Sequence, residues 1–163
     1  MIVIADSSPI NILVRIDRVE VLPRLFGEVV IPDAVQMELE SSRTPEVVRS
    51  FMRTRPSWLV LRAASGIPRL PGIDAGESAA IQLALQESDS VLVMDDWDGR
   101  RVARAKGLRV VGTIGVLEQA AVAGFVDLPQ CIEMIKQTDF RMSNRLFEEA
   151  LARDAERRRR PGA

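Results

Sequence analysis

The stretch VLVMDDWDGR, residues 91–100, decides how this chain is read. Val91 to Met94 form an apolar run of strand length that ends on two adjacent aspartates, Asp95 and Asp96, with Asp98 following after Trp97. A strand apolar at every position is buried on both faces, which is the habit of a parallel sheet covered by helices. One aspartate is enough to cap the next helix, so a cluster of like charges exceeds what a cap needs. Ligands of open parallel sheets bind beyond the carboxyl ends of the strands, and that is the edge on which these acids stand.

The flanking sequence repeats the pattern. IVIA (2–5) is a short β-branched run followed at once by Asp6, and SSPINILVRI then reads as a helix with Ser8 as N-cap and Pro9 at the first helical position. GEVVI (27–31) is a second strand, Pro32 opens the helix PDAVQMELES, TPEVVRSFMRT is helical and SWLVLRA (57–63) is a strand. SGIPRLPG (65–72) is irregular. DAGESAAIQLALQES (74–88) is the clearest helix, capped by Asp74, and after the strand SVLVM (90–94) comes the helix DGRRVARAKG (98–107), with Asp98 as its expected N-cap. LRVVG (108–112) is a strand, and TIGVLEQAAVAG, DLPQCIEMIKQ and SNRLFEEALARDAERRRR are helices. Short apolar strands alternating with helices predict an α/β fold, a three-layer sandwich with a central parallel sheet. The expected organisation is a single domain over 1–163, with a helical extension from about residue 129.

Composition narrows the chemistry. The chain has 163 residues, 47% hydrophobic and 28% charged, with a formal net charge of −1, so no overall basic field advertises nucleic acid. No stretch approaches the roughly 20 apolar residues of a membrane span, and MIVIADSSP carries neither a basic region nor a cleavage signal. Cys131 is the single cysteine, which excludes an internal disulfide; a reducing cytoplasm is the expected location. Histidine and tyrosine are absent. That removes the commonest general base, every imidazole ligand and all serine–histidine or cysteine–histidine schemes. Any chemistry must be run by carboxylates, hydroxyls, Lys or Arg, and a hard cation.

The carboxylates gather accordingly. Asp6 follows the first strand, and Asp95 and Asp96 follow SVLVM. Glu38 lies three residues after Val35 and four after Ala34, on the inward stripe of its helix, whereas Glu40 falls with Asp33 and Gln36 on the outer side. Glu77, three residues after Asp74, stands where a capping box would use it and also on the rim where the strand ends open. Converging carboxylates are relieved by protonation or by a divalent cation. Mg²⁺ and Mn²⁺ suit an all-oxygen environment and support phosphodiester hydrolysis.

IADSSP, VQMELE, DAGESAAIQLALQ, DDWDGRRVARAKGL and VVGTIGVL, in this order, resemble PIN-domain proteins over roughly residues 1 to 128. The resemblance implies an α/β sandwich with a central parallel sheet and a Mg²⁺- or Mn²⁺-dependent endoribonuclease acting on RNA, as in the VapC toxins of toxin–antitoxin pairs. Matched by motif, it implies that Asp6, Glu38, Glu77 and Asp96 are the catalytic and metal-binding acids, with Asp95 beside them, and that Ser8 is the small hydroxyl residue two places after the first acid. The usual DxDF ending departs here, with Gly99 where the aromatic often lies and Arg100 after it. A cognate antitoxin and a homodimer are the partners the family implies, with no membrane; a non-catalytic RNA- or protein-binding module is the alternative.

Plainer roles stand beside these. GTIG (112–115) reads as tight strand–helix packing more readily than as a phosphate cradle, and Thr113 as a helix cap more readily than as a contact to a metal-bound water. Arg100, Arg101 and Arg104 are a solvated helix face or a set of phosphate contacts, and the RRRR run (157–160) suits a helix C-terminus, with RNA or partner binding as the alternative. Trp97 is expected to pack at the strand end, with base stacking as the alternative. An aspartyl-phosphate enzyme of the haloacid-dehalogenase kind wants an acid two residues after its nucleophile, where Ser8 stands.

Overall fold

The computed structural model describes residues 1–64 and 69–160. In chain order the elements are β1 (Ile2–Ala5), α1 (Ser7–Arg15), α2 (Val21–Phe26), β2 (Val29–Pro32), α3 (Asp33–Leu39), α4 (Glu46–Arg53), β3 (Leu59–Arg62), α5 (Ala75–Leu85), β4 (Ser90–Val93), α6 (Trp97–Ala105), β5 (Arg109–Val111), α7 (Thr113–Val122), α8 (Leu128–Lys136) and α9 (Asn144–Arg159). The five strands form one sheet in the order β3-β2-β1-β4-β5, and every pairing is parallel. This is the expected α/β architecture, a central parallel sheet flanked by helices.

The strand order carries the functional geometry. From β1 the chain steps outward through β2 to β3, then crosses back to lay β4 on the other side of β1. Crossovers between parallel strands are right-handed, so reversing the direction of travel puts the connecting helices on opposite faces and opens a crevice beyond β1 and β4. Those two strands pair along their whole length, with Ala5 opposite Val93, and the Asp6 N–H donates to the Val93 carbonyl at 2.9 Å. Asp6 and the acids after β4 therefore leave the sheet side by side. Ile4, Val30 and Leu92 of the strands pack with Ile73, Ala80, Ile81, Leu83 and Ala84 of the α5 segment, and with Met94 and Ala103. Each is nearly inaccessible to solvent, so the sheet edge rests on a rigid base.

Two helix starts differ from the sequence expectation. α1 begins at Ser7 with Asp6 in the N-cap position, not at Pro9 behind Ser8. The first turn of any helix has N–H groups without intrahelical partners, so proline is tolerated at any of those positions and Pro9 does not fix the cap. α6 begins at Trp97 with Asp96 as N-cap, its carboxylate accepting from the Gly99 N–H at 2.9 Å, so Asp98 is the second helical residue and not the cap. Residues 65–68 of the irregular SGIPRLPG stretch lie outside the described residues.

The chain divides into two compact units, Met1–Thr113 and a second that starts at Ile114. In the second unit Leu128, Cys131, Ile132 and Ile135 of α8 and Phe147 and Ala150 of α9 are buried. The arginine run is neutralised locally. Arg157 and Arg158 both pair with the buried Asp154, Arg158 also reaches Asp127 at 2.7 Å, and Arg160 pairs with Glu156 at 2.8 Å. No helix among the described residues is long and apolar enough to cross a membrane.

Candidate functional site

Asp6 is the buried centre of the sheet edge, with 2% of its surface exposed. Its Oδ1 is fully enclosed and has no hydrogen-bond partner among the described residues. Burial above all holds its carboxyl well above the usual carboxylate range; the Ser7 N–H opposes this, and the charges of Glu38, Glu77 and Asp74 add to it. An enclosed carboxylate oxygen with nothing to bond is costly, and most buried polar atoms in proteins avoid that state. Asp6 occupies the N-cap position of α1, but its side chain makes no capping hydrogen bond there.

Glu38 approaches from α3 and is held by two donors. The Ser7 hydroxyl donates to Oε2 at 2.7 Å, and the Gly76 N–H at the start of α5 donates to Oε1 at 3.0 Å. A Cβ on Gly76 would overlap this carboxylate, so the close approach requires glycine. The Glu38 carbonyl accepts from the Thr44 hydroxyl at 2.7 Å, which ties down the end of the helix. Desolvation raises the Glu38 pKa, the Ser7 bond lowers it, and the Asp74 charge raises it further. Glu40, as its helical phase predicts, is exposed on the other side and accepts from Gln36 at 3.0 Å.

Glu77 is buried in the first turn of α5. Its N–H donates to the capping Asp74 carboxylate at 2.8 Å, the forward half of the capping-box expectation. Its carboxyl is pushed up to about 8, by burial first, then by the Asp74 charge, by a carboxyl–carboxyl hydrogen bond to Asp74, and by the charge of Asp96. Asp96 thus combines both expectations, capping α6 while its charge bears on Glu77. Gly99 admits this contact, for the Glu77 Oε2 lies 3.4 Å from the position its Cβ would take.

The structure brings Asp6, Glu38, Glu77 and Asp96 to one edge and directs Asp95 elsewhere. Asp95 accepts from the Thr113 N–H at 2.8 Å and the Thr113 hydroxyl at 2.6 Å, fastening the end of β4 to the start of α7. Burial raises the Asp95 pKa, opposed by both Thr113 donors and the Arg100 charge. Asp95, expected beside the metal-binding acids, thus has both carboxylate oxygens engaged by Thr113 in a clasp. Thr113 is fully buried in that clasp. Arg100 is also turned inward, its guanidinium donating to the Met94 carbonyl at 3.2 Å. Ser8 is half-buried in the first turn of α1, and it is its neighbour Ser7 that reaches an acid.

Three contributors were not singled out from sequence. The sequence marks Asp74 only as a cap, yet its charge bears on Asp6, Glu38 and Glu77. Ser7 and Gly76 hold Glu38. Each is adjacent in sequence to a predicted acid or to its cap, and that adjacency was the available signal.

Among the described residues no three acids stand close enough together to hold a metal ion by themselves. The donor set therefore fits a hard cation that takes one or two carboxylates and keeps waters, as Mg²⁺ does, and does not fit a closed protein cage. The unpartnered Asp6 oxygen and the mutual repulsion of the acids are the observations that favour such an ion. Their pKa shifts give an expected pH dependence. Glu77 titrates near 8 in the fold against 4.5 as its ordinary value, so its contribution to stability is full below about 4.5 and is lost as pH rises through about 8. Asp6 and Glu38 shift in the same direction. In EDTA the melting temperature should fall between pH 5 and 8.5, and Mn²⁺ should raise it most at the alkaline end. Thermal denaturation across that range checks this; a Mn²⁺ effect independent of pH would contradict the shifts.

A parallel sheet whose strand-order reversal gathers carboxylates, in a chain without histidine, defines a class of acid-site α/β proteins. The PIN domain family model matches residues 2–156, and the chain belongs to that family. PIN domains are generally nucleases and generally depend on divalent metal, which implies a nucleic-acid substrate. No curated protein matches the chain.

Proposed function

We propose that the protein is a Mg²⁺- or Mn²⁺-dependent endoribonuclease, acting as the toxin of a toxin–antitoxin pair. The enclosed, unpartnered Asp6 oxygen among raised carboxyls carries this reading, because a cation relieves both defects at once. Asp6, Glu38, Glu77 and Asp96 would hold the ion, one or two of them directly and the others through its waters. When bound, such an ion supplies an activated water and stabilises the leaving oxygen of a phosphodiester. Ser7 and the Gly76 N–H orient Glu38. Burial first, and then the Asp74 carboxyl, keep the Glu77 proton in place, so that it would leave when positive charge arrives. The family model runs across both compact units, which supports treating 1–163 as one functional domain. In the first compact unit the exposed Met37 and Val47 offer apolar surface to an antitoxin or a second copy of the chain.

Cleavage of single-stranded RNA should require Mn²⁺ or Mg²⁺ and be abolished by EDTA, since no imidazole is present to replace the cation. Undiminished activity in EDTA after rigorous purification would refute the metal mechanism. A non-catalytic RNA- or protein-binding module is favoured by one observation, the lack of three mutually close acids among the described residues. Calorimetric Mn²⁺ binding without RNA cleavage would establish that alternative.

A further inference from the structure

An acidic site that cleaves RNA must hold a polyanion against its own charge, and α6, which Asp96 caps, carries exposed cations. Trp97 opens this helix directly after Asp96, and Arg101 and Arg104 follow at the fourth and seventh positions, so the three share one face. All three are exposed, while Gly99 and Ala103 are buried on the opposite side. Arg100, turned in to the Met94 carbonyl, is not part of this face.

Trp97 is 73% exposed, which overturns its expected packing at the strand end. The physical reason is the early start of α6. With Asp96 as cap, position 97 lies on the outer side of the first turn, and the inward place beside the Met94 sulfur goes to Gly99. Tryptophan side chains are normally buried on most of their surface. In a chain with 4% aromatic residues the other tryptophan, Trp58, is partly covered and lies 6.2 Å from the Phe51 ring. Arg101 has only an exposed partner, Asp98, at 3.5 Å, and Arg104 has no ion pair among the described residues. Such surface pairs are worth little and are readily exchanged for phosphate.

We propose that the Trp97–Arg101–Arg104 face of α6 is the track for single-stranded RNA, with Trp97 stacking on an unpaired base next to the acids and the arginines taking backbone phosphates. This rests on the nuclease reading and assigns the face of the molecule along which its RNA lies. Base–aromatic stacking accepts any base, so the track confers preference for single strands and not for sequence. Duplex RNA keeps its bases inside the stack and offers Trp97 no partner.

Trp58→Phe leaves Trp97 as the sole tryptophan in a protein without tyrosine, so its emission reports the site directly. A short single-stranded oligoribonucleotide, titrated in EDTA to prevent cleavage, should quench that emission saturably and shield it from acrylamide; the matching duplex should not. In otherwise wild-type protein, followed by fluorescence anisotropy of labelled RNA, Trp97→Ala should weaken binding about 5- to 150-fold and Trp97→Phe less. Arg104→Gln should flatten the salt dependence by roughly 0.7 in the log–log slope. Binding without quenching, or equal affinity of Trp97→Ala and wild type, would overturn the track. So would shielding of Trp97 without RNA together with concentration-dependent sedimentation, which would give this face to a second copy of the chain. Quenching without any Mn²⁺-dependent cleavage would sink the nuclease reading and leave the track standing, whereas cleavage with an unchanged kcat/KM in Trp97→Ala would do the reverse.

Discussion

Asp6→Asn should lower RNA cleavage by orders of magnitude while raising the melting temperature of the protein in EDTA. The substitution nearly preserves shape in a position with 2% exposure, so little is lost in packing. What it removes is an ionisable group whose Oδ1 is enclosed without a partner and whose carboxyl is held well above its ordinary range by burial and by Glu38, Glu77 and Asp74. At neutral pH and above, folding the wild-type chain requires either burying that charge or taking up a proton, and asparagine requires neither. The gain in stability should therefore grow with pH. The additional rise produced by Mn²⁺ should shrink, because a ligand that binds only the native state stabilises in proportion to its affinity. A purely structural Asp6 predicts the opposite sign, since losing a needed bond destabilises. Paired melting curves in EDTA and Mn²⁺, beside a cleavage assay, separate the two. An Asp6→Asn protein that is less stable without metal, equally stabilised by Mn²⁺ and still active would refute the cluster at its centre.

How far the sequence reaches is visible in particular residues. The strand runs IVIA and SVLVM and the cap Asp74 stand where their patterns put them, because a fully buried strand and an aspartate before an apolar helix have few other uses. Helical phase alone sorted Glu38 from Glu40 correctly. Adjacent aspartates were harder. Asp95 and Asp96 differ by one position, and the choice between them turns on Thr113, a residue eighteen positions away that captures Asp95 at the end of the neighbouring strand. No local pattern encodes such a tertiary bond. The same holds for Gly76, whose role depends on Glu38 arriving from another helix, and for Trp97, whose exposure follows from a one-turn question of where α6 begins. Fold class is written in periodicity; the aim of each side chain at the sheet edge is written in contacts between elements.

Gly76→Ala should separate stability from function more sharply than any acid substitution. Gly76 stands in the first turn of α5, and its backbone is not in the left-handed region. Alanine is the better helix former there, by up to about 1 kcal/mol. The atoms its Cβ would meet are the end of the Glu38 side chain and not backbone, so the fold can yield by turning that carboxylate away. The protein should remain folded, with a melting temperature in EDTA equal to or above that of wild type. The site should not survive this adjustment. Glu38 would lose the Gly76 N–H bond at 3.0 Å and the register in which Ser7 meets it at 2.7 Å. Residues that orient a metal-binding group typically contribute 10- to 100-fold to affinity or activity, and a displaced carboxylate should lose at least about that much in both. Ser7→Ala removes one of the two bonds without intruding on the space, and should fall between wild type and Gly76→Ala. Calorimetric Mn²⁺ titration and RNA cleavage on the three proteins, with melting curves as the folding control, decide the matter. If Gly76→Ala kept wild-type Mn²⁺ affinity and cleavage, Glu38 would lie outside the working site, and its two donors would be serving only the junction between α3 and α5.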